Sequence, residues 1–195
     1  EAKWWGFNAY GDWFDAADLK SPFAGKGEWL LPQATLERKL ATFAAAARAG
    51  LALDLVTTPN HVWLDQLRVD LLADRAGDER IFGQLLCPSR PEGRDIILRN
   101  HAALFEAIRQ RGLELASICA CPYDYGGCSC AACSPWILTF AGLVLDLLEL
   151  ARRSFPGVRA RLAGWWWTAA EHELFRNWAD QPGSPARGQF VSLAK

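Results

Sequence analysis

At 195 residues with 51% hydrophobic content, the chain carries enough apolar material to bury a sizeable core within one domain. Its formal net charge of -1 leaves no basic excess to attract nucleic acid. No run reaches the eighteen or so uninterrupted apolar residues that a membrane span requires, because even 137–150 is broken by Asp146 and Glu149. The chain lacks methionine and starts at Glu1 within what reads as structure, so the expectation is a single barrel-like catalytic domain over 1–195, a piece of a longer chain.

In chain order, 3–8 reads as a first strand. The segment 32–49 places Leu36, Leu40, Phe43, Ala44 and Ala47 on one helical face, with Gly50 as its stop. A buried strand follows at 51–57, then a stretch at 63–77 that is part helical and part irregular, then a strand at 80–87. The helix at 94–111 carries Ile97, Leu104, Phe105 and Ile108 and ends at Gly112. The strand at 113–121 leads through a cysteine-rich loop to a helix at 136–154. A last strand at 158–167 feeds a helix at 169–179, which Thr168 caps with Glu171 in its first turn. The Pro/Gly/Ser-rich stretch 180–188 reads as a loop, and 189–195 as the start of a further helix.

Strands alternating with helices imply a parallel sheet with right-handed crossovers, here about five strand–helix units. A complete (β/α)8 TIM barrel takes about 250 residues. The choice therefore lies between an incomplete barrel and an open doubly wound sheet. No G-x-G-x-x-G follows a strand, and Gly126-Gly127 is followed by no Gly-Lys-Ser/Thr, which lowers the nucleotide-binding reading and favours the α/β barrel.

In a barrel the residues just past each strand converge on one face. These include Asp12, Trp13 and Asp15, then Asn60, His61 and Trp63, then Tyr123, Asp124 and Tyr125, then Trp165, Trp166, Trp167 and Glu171. Seven of the ten tryptophans, Trp4, Trp5, Trp13, Trp63 and Trp165 to Trp167, fall at or near strand ends. Flat aromatic faces beside carboxylates and amides suit an oligo- or polysaccharide, whose pyranose faces stack while the hydroxyls bond at the rim. Trp13, Trp63, Trp165, Trp167, Tyr123, Tyr125, Asn60 and His61 are accordingly the candidate substrate-binding residues. The pleat nevertheless sends at least one ring of Trp165 to Trp167 toward the helices, where it would only pack.

The loop 119–136 gathers five of the six cysteines around one acidic residue and two tyrosines. Asp124 is the candidate general acid, screened by Tyr123 and Tyr125. Glycoside hydrolysis generally pairs two carboxyl groups, about 5 to 5.5 Å apart in retaining enzymes and wider in inverting ones. Asp12, Asp15 and Glu171 are candidates for the second. Asp124 in a Pro-Tyr-Asp-Tyr-Gly-Gly turn also has a plain structural role open to it, accepting backbone N–H bonds.

Cys128, Cys130 and Cys133 offer three soft ligands within six residues, and Cys121 or Cys119 at the strand end offers a fourth, the donor set of a closed structural zinc site. Disulfides, consistent with an extracytoplasmic enzyme, and free thiols are the alternatives. The C-x-C-x-x-C spacing on a late loop departs from the C-x-x-x-C-x-x-C cluster motif of radical enzymes, which sits on the first strand's loop.

The string Pro122-Tyr-Asp-Tyr-Gly-Gly-Cys-Ser-Cys-Ala-Ala-Cys-Ser-Pro-Trp136, followed one strand later by Gly164-Trp-Trp-Trp-Thr168, resembles strand-end loops of uncharacterised bacterial barrel proteins grouped with glycoside hydrolases of the hexosaminidase and α-glucuronidase kind. The resemblance spans 113–171. It implies a TIM-barrel hydrolase acting on glycosidic bonds through carboxylates. In hexosaminidase-like enzymes an Asp-Glu or Asp-Asp pair follows the fourth strand, whereas Asp124 here is followed by Tyr125.

These readings converge on a carbohydrate-active enzyme working by carboxylate acid/base catalysis in a tryptophan-rich cleft. The alternatives are a non-catalytic carbohydrate-binding barrel and a metalloenzyme that uses the cysteine cluster through an open coordination position.

Overall fold

The computed structural model describes residues 6–14, 21–23 and 30–194. Five parallel strands lie side by side in chain order: β1 (Ala9–Trp13), β2 (Ala52–Thr57), β3 (Leu115–Ala120), β4 (Arg159–Ala163) and β5 (Phe190–Ala194). Helices α1 (Leu30–Arg48), α2 (Pro91–Gln110), α3 (Trp136–Arg152) and α4 (Ala169–Asp180) make the crossovers between them. A doubly wound sheet reverses its strand order at a switch point. This sheet never reverses, so right-handed crossovers put every helix on the same face. The architecture is an incomplete (β/α) barrel.

The pleat divides each strand between two environments. Leu55, Ile118, Ala120, Ala160 and Leu162 are fully buried under the helices. On the concave face, Ser117 Oγ donates to Asp54 Oδ1 at 2.7 Å and Arg161 Nη1 to Asp54 Oδ2 at 3.0 Å, a polar layer running across β2, β3 and β4. α3 is flanked by α2 and α4 and backed by the sheet. It therefore buries Ile137, Phe140, Leu143, Val144, Leu147, Leu148 and Ala151, most of its circumference.

Three sequence expectations are corrected. The first strand lies at Ala9–Trp13, where it pairs with Ala52 to Val56; of the expected segment 3–8, residues 3–5 lie outside those described and 6–8 are turn and coil. Residues 80–87 form no strand. Because β3 already occupies the edge of β2, this apolar stretch folds instead across the top of the sheet, held by two isolated antiparallel bridges, His61 with Leu85 and Leu72 with Leu86. Residues 190–194 are a strand and not a helix, since the edge of β4 supplies pairing for Phe190, Leu193 and Ala194. Segment 63–77 is mixed, as its pattern implied, with 3-10 turns at Leu64–Gln66 and Val69–Leu71. No helix among the described residues is long and apolar enough to cross a membrane.

Candidate functional site

Beyond the carboxyl ends of β1, β3 and β4 opens a cavity of about 430 Å³, lined by Trp13, Cys121, Tyr123, Asp124, Tyr125, Ala163 and Trp165. Among the described residues, Asp124 is the only carboxylate in this lining. Trp165 and Tyr125 keep 53% and 42% of their surface exposed, so their rings are available for contact. An aromatic rim continues from the cavity through Trp166, Phe82 and Tyr125 to His61. Its ring centroids are 6.2 Å apart for Trp165 and Trp166, 6.3 Å for Trp166 and Phe82, 5.1 Å for Phe82 and Tyr125, and 5.5 Å for Tyr125 and His61.

The loop after β3 is fastened along its length. Cys121 N–H donates to Thr57 O at 2.9 Å, Trp136 Nε1 to Pro122 O at 2.9 Å and Asp124 N–H to Arg80 O at 3.3 Å. Asp124 and Tyr125 both adopt left-handed backbone, with φ of 62° and 70°. Such a conformation costs a non-glycine residue about 1 to 3 kcal/mol and persists only where the surroundings over-determine it. Gly127 closes the turn at φ 117°, where a Cβ would stand 2.6 Å from the Ile81 side chain. Among the described residues the carboxylate of Asp124 accepts no hydrogen bond, and it stands half-buried on the cavity wall. It is thus not consumed in backbone bonding, which was the alternative reading of this turn.

Glu171 has a different situation. It is the third residue of α4 and forms a capping box with Thr168. Its carboxylate accepts from Thr168 N–H at 2.7 Å, Thr168 Oγ1 at 3.0 Å, Arg80 Nη1 at 2.9 Å and the Tyr123 hydroxyl. Burial alone would raise its pKa, but the hydrogen bonds from Arg80, Tyr123 and Thr168 hold the carboxyl below the usual range. Arg80 lies 3.9 Å from the centre of the Tyr123 ring and also pairs with Asp78 at 2.6 Å. Burial, and then the bond to Glu171, pushes the Tyr123 phenol up, so it stays protonated and donating. Glu171 is therefore a fixed anion beneath the cavity wall and a poor proton donor; its place is to position Tyr123 and Arg80.

Several expected site residues stand elsewhere. Asp12 alternates with Trp13 on β1, so the pleat turns it toward α1, where it pairs with Lys39 at 3.0 Å. Asp15, Trp4 and Trp5 lie outside the described residues. Asn60 is 0% exposed: its amide donates to Leu86 O at 3.0 Å and Gly127 O at 2.8 Å, and its carbonyl accepts from Gly127 N–H at 3.2 Å. It clamps the Gly-Gly turn and offers nothing to a ligand. His61 is buried under Tyr125, and Trp63 borders small hollows with Phe14 and Leu104. Trp167, 8% exposed, packs on His172 and Phe175 in the helix layer. Of the rim, Trp166 stood among the strand-end tryptophans in the sequence but not among the candidate binding residues, while Phe82 and the cation Arg80 were not singled out, because 80–87 read as a strand.

The cysteines separate into two groups. Cys119 and Cys121 share a hydrogen bond that lowers the first thiol and raises the second. Cys121 thus lines the cavity and does not join the other thiols. The fourth member of the expected cluster is Cys87, from the loop after β2. Its Sγ lies 3.7 Å from Cys130 and 3.6 Å from Cys133, and all four sulfurs, with Cys128, fall within 4.8 Å of one another. A hydrogen bond from Cys133 draws the Cys128 thiol down to about 5. None of the six cysteines is joined in a disulfide. The only hint in the sequence was that a sixth cysteine existed outside the loop.

The fold and site together define a partial barrel with a strand-end cleft. No protein-family model matches the chain. No curated protein matches it either. Among solved structures, the acarbose-soaked debranching enzyme of Nostoc punctiforme is similar to 92% of this chain, with a TM-score of 0.50 and 12% identity. A second structure of that enzyme gives a TM-score of 0.43 at 11% identity over 81% of the chain and 32% of its own length. Ega3 of Aspergillus fumigatus, in complex with galactosamine, gives 0.34 at 13% over 80% of the chain and 79% of its own length. The chain spans 40% of the length of the first of these, and the likeness to it supports the fold alone.

Proposed function

We propose that the cavity binds carbohydrate and that Asp124 supplies the carboxyl chemistry of glycosidic bond hydrolysis. The observation that carries this reading is a carboxylate on strained backbone, without a hydrogen-bond partner among the described residues, on the wall of an aromatic cavity at the carboxyl ends of barrel strands. Trp13, Trp165 and Tyr125 offer stacking faces, and Tyr123, fixed by Glu171 and Arg80, backs the wall beside Asp124. Asp124 acts as the proton donor to a leaving glycosidic oxygen in this scheme. Glu171 holds the wall in place and takes no part in proton transfer.

A binding barrel without catalysis is the second reading, favoured by Asp124 being the only carboxylate among the described residues of the cavity lining. The two are separated by assaying release of reducing ends from a panel of oligosaccharides. Binding of acarbose, with which the similar debranching enzyme was soaked, is measured in parallel. Asp124→Asn should lower turnover by about 10² to 10⁴ while leaving binding intact. Trp165→Ala should weaken binding roughly tenfold, about 1.4 kcal/mol, with no change in thermal stability. Binding without turnover in the parent chain would favour the second reading, and no binding of any oligosaccharide would overturn both.

A further inference from the structure

The four clustered thiols come from two loops that no strand pairing joins. Cys87 sits ahead of α2, and Cys128, Cys130 and Cys133 lie on the loop after β3. Three of the four are buried to 2% exposure or less. A tetrahedral ion bound by thiolates at about 2.3 Å sets its sulfurs about 3.8 Å apart. The separations of Cys87 from Cys130 and Cys133, 3.7 Å and 3.6 Å, match that edge. A disulfide would need only two of these sulfurs and would draw them to about 2.0 Å. Convergence of four sulfurs within 4.8 Å of one another, with both of those separations at that edge length, is the arrangement of a shared ion.

The surroundings also fit. Ser89 Oγ approaches Cys133 Sγ at 3.0 Å and bonds Ala132 O at 3.0 Å, an outer contact of the kind that orients a ligand. Gly93, in the first turn of α2, leaves room for the Cys87 carbonyl, which a Cβ there would meet at 2.7 Å. Ser129 N–H donates to Asp74 O at 2.9 Å, seating the middle of the ligand loop.

We propose that Cys87, Cys128, Cys130 and Cys133 bind one zinc ion in a closed tetrahedral shell that clasps the loop after β2 to the loop carrying Asp124. With four thiolates around it the ion has no open position, so its role is structural and it takes no part in chemistry on a ligand. The clasp begins one residue after Gly127 and so fixes the far end of the left-handed turn whose near end Thr57 and Trp136 hold.

The test needs no carbohydrate and stands apart from the proposed activity. Metal analysis of the purified chain should give one zinc per chain, with two reactive thiols before chelation and six after. Cys121→Ser should keep the zinc and Cys87→Ser should lose it. Should Cys87→Ser fail to fold, cobalt(II) exchanged into the parent chain should show the visible bands of a tetrahedral tetrathiolate. Zinc retained in Cys87→Ser but lost in Cys121→Ser would overturn the ligand set. Iron in place of zinc, six reactive thiols without metal, or cysteines oxidised in pairs would overturn the zinc clasp.

Discussion

The loops after β3 and β4 both bring a carboxylate to the same wall of the cleft, and they treat it in opposite ways. The loop after β3 spends its side chains and backbone on holding its own shape, through Asn60, Trp136, Gly127 and the thiols, and leaves the carboxylate of Asp124 without a hydrogen bond among the described residues. The loop after β4 leaves Trp165 and Trp166 exposed and draws Glu171 into bonds with Thr168, Arg80 and Tyr123. A carboxylate that saturates its acceptors positions its neighbours, and one that is held in place without being saturated is available to a ligand.

The comparison is most strongly tested at Gly127. Gly127→Ala puts a Cβ into Ile81 at a backbone angle that alanine disfavours, and should destabilise the fold by about 2 to 4 kcal/mol in chemical denaturation. An unchanged midpoint would show that the turn is less constrained than its contacts imply. Arg80→Ala removes the cation from both Asp78 and Glu171 and from the face of Tyr123, and should cost about 2 to 3 kcal/mol. That loss should shrink in a background carrying Glu171→Gln, since the two side chains share one network.

The smallest effect concerns pH. The pKa of Glu171 is depressed in the folded state, so its stabilisation is complete above the unfolded value of about 4.3 and fades as pH falls through the lower folded value. Thermal scans should therefore show Glu171→Gln less stable than the parent chain at neutral pH by about 1 kcal/mol, with the gap closing in acid. A gap that persists unchanged at low pH would remove the charge from the account.

Much of this arrangement could be read from residue order. The three-four spacing of Leu36, Leu40 and Phe43, and of Ile97, Leu104 and Ile108, marked two helices. The run 113–121 marked the strand leading into the Asp124 loop. The N-cap Thr168 with Glu171 in the first turn was visible too, but Glu171 read as a candidate catalytic carboxylate, and only the structure shows its oxygens taken up by Thr168, Arg80 and Tyr123. Asp12 and Trp13 show the limit: adjacent strand residues face opposite ways, and only the placement of α1 says which faces the cleft.

By itself the sequence determined the alternation of strands and helices, the position of the cysteine-rich loop and the presence of enough thiols for a metal, because periodicity, turn residues and ligand type are local properties. Tertiary structure alone decided that 190–194 pairs as β5, that 80–87 caps the sheet and brings Arg80 to Glu171 and Phe82 to the rim, and that Cys87 replaces Cys121 in the cluster. Each of these depends on a partner brought in by the tertiary fold, as with Cys87 and Cys130 at a separation of 43 or Arg80 and Glu171 at 91, and no local pattern encodes which distant edge or side chain will be adjacent once the sheet forms.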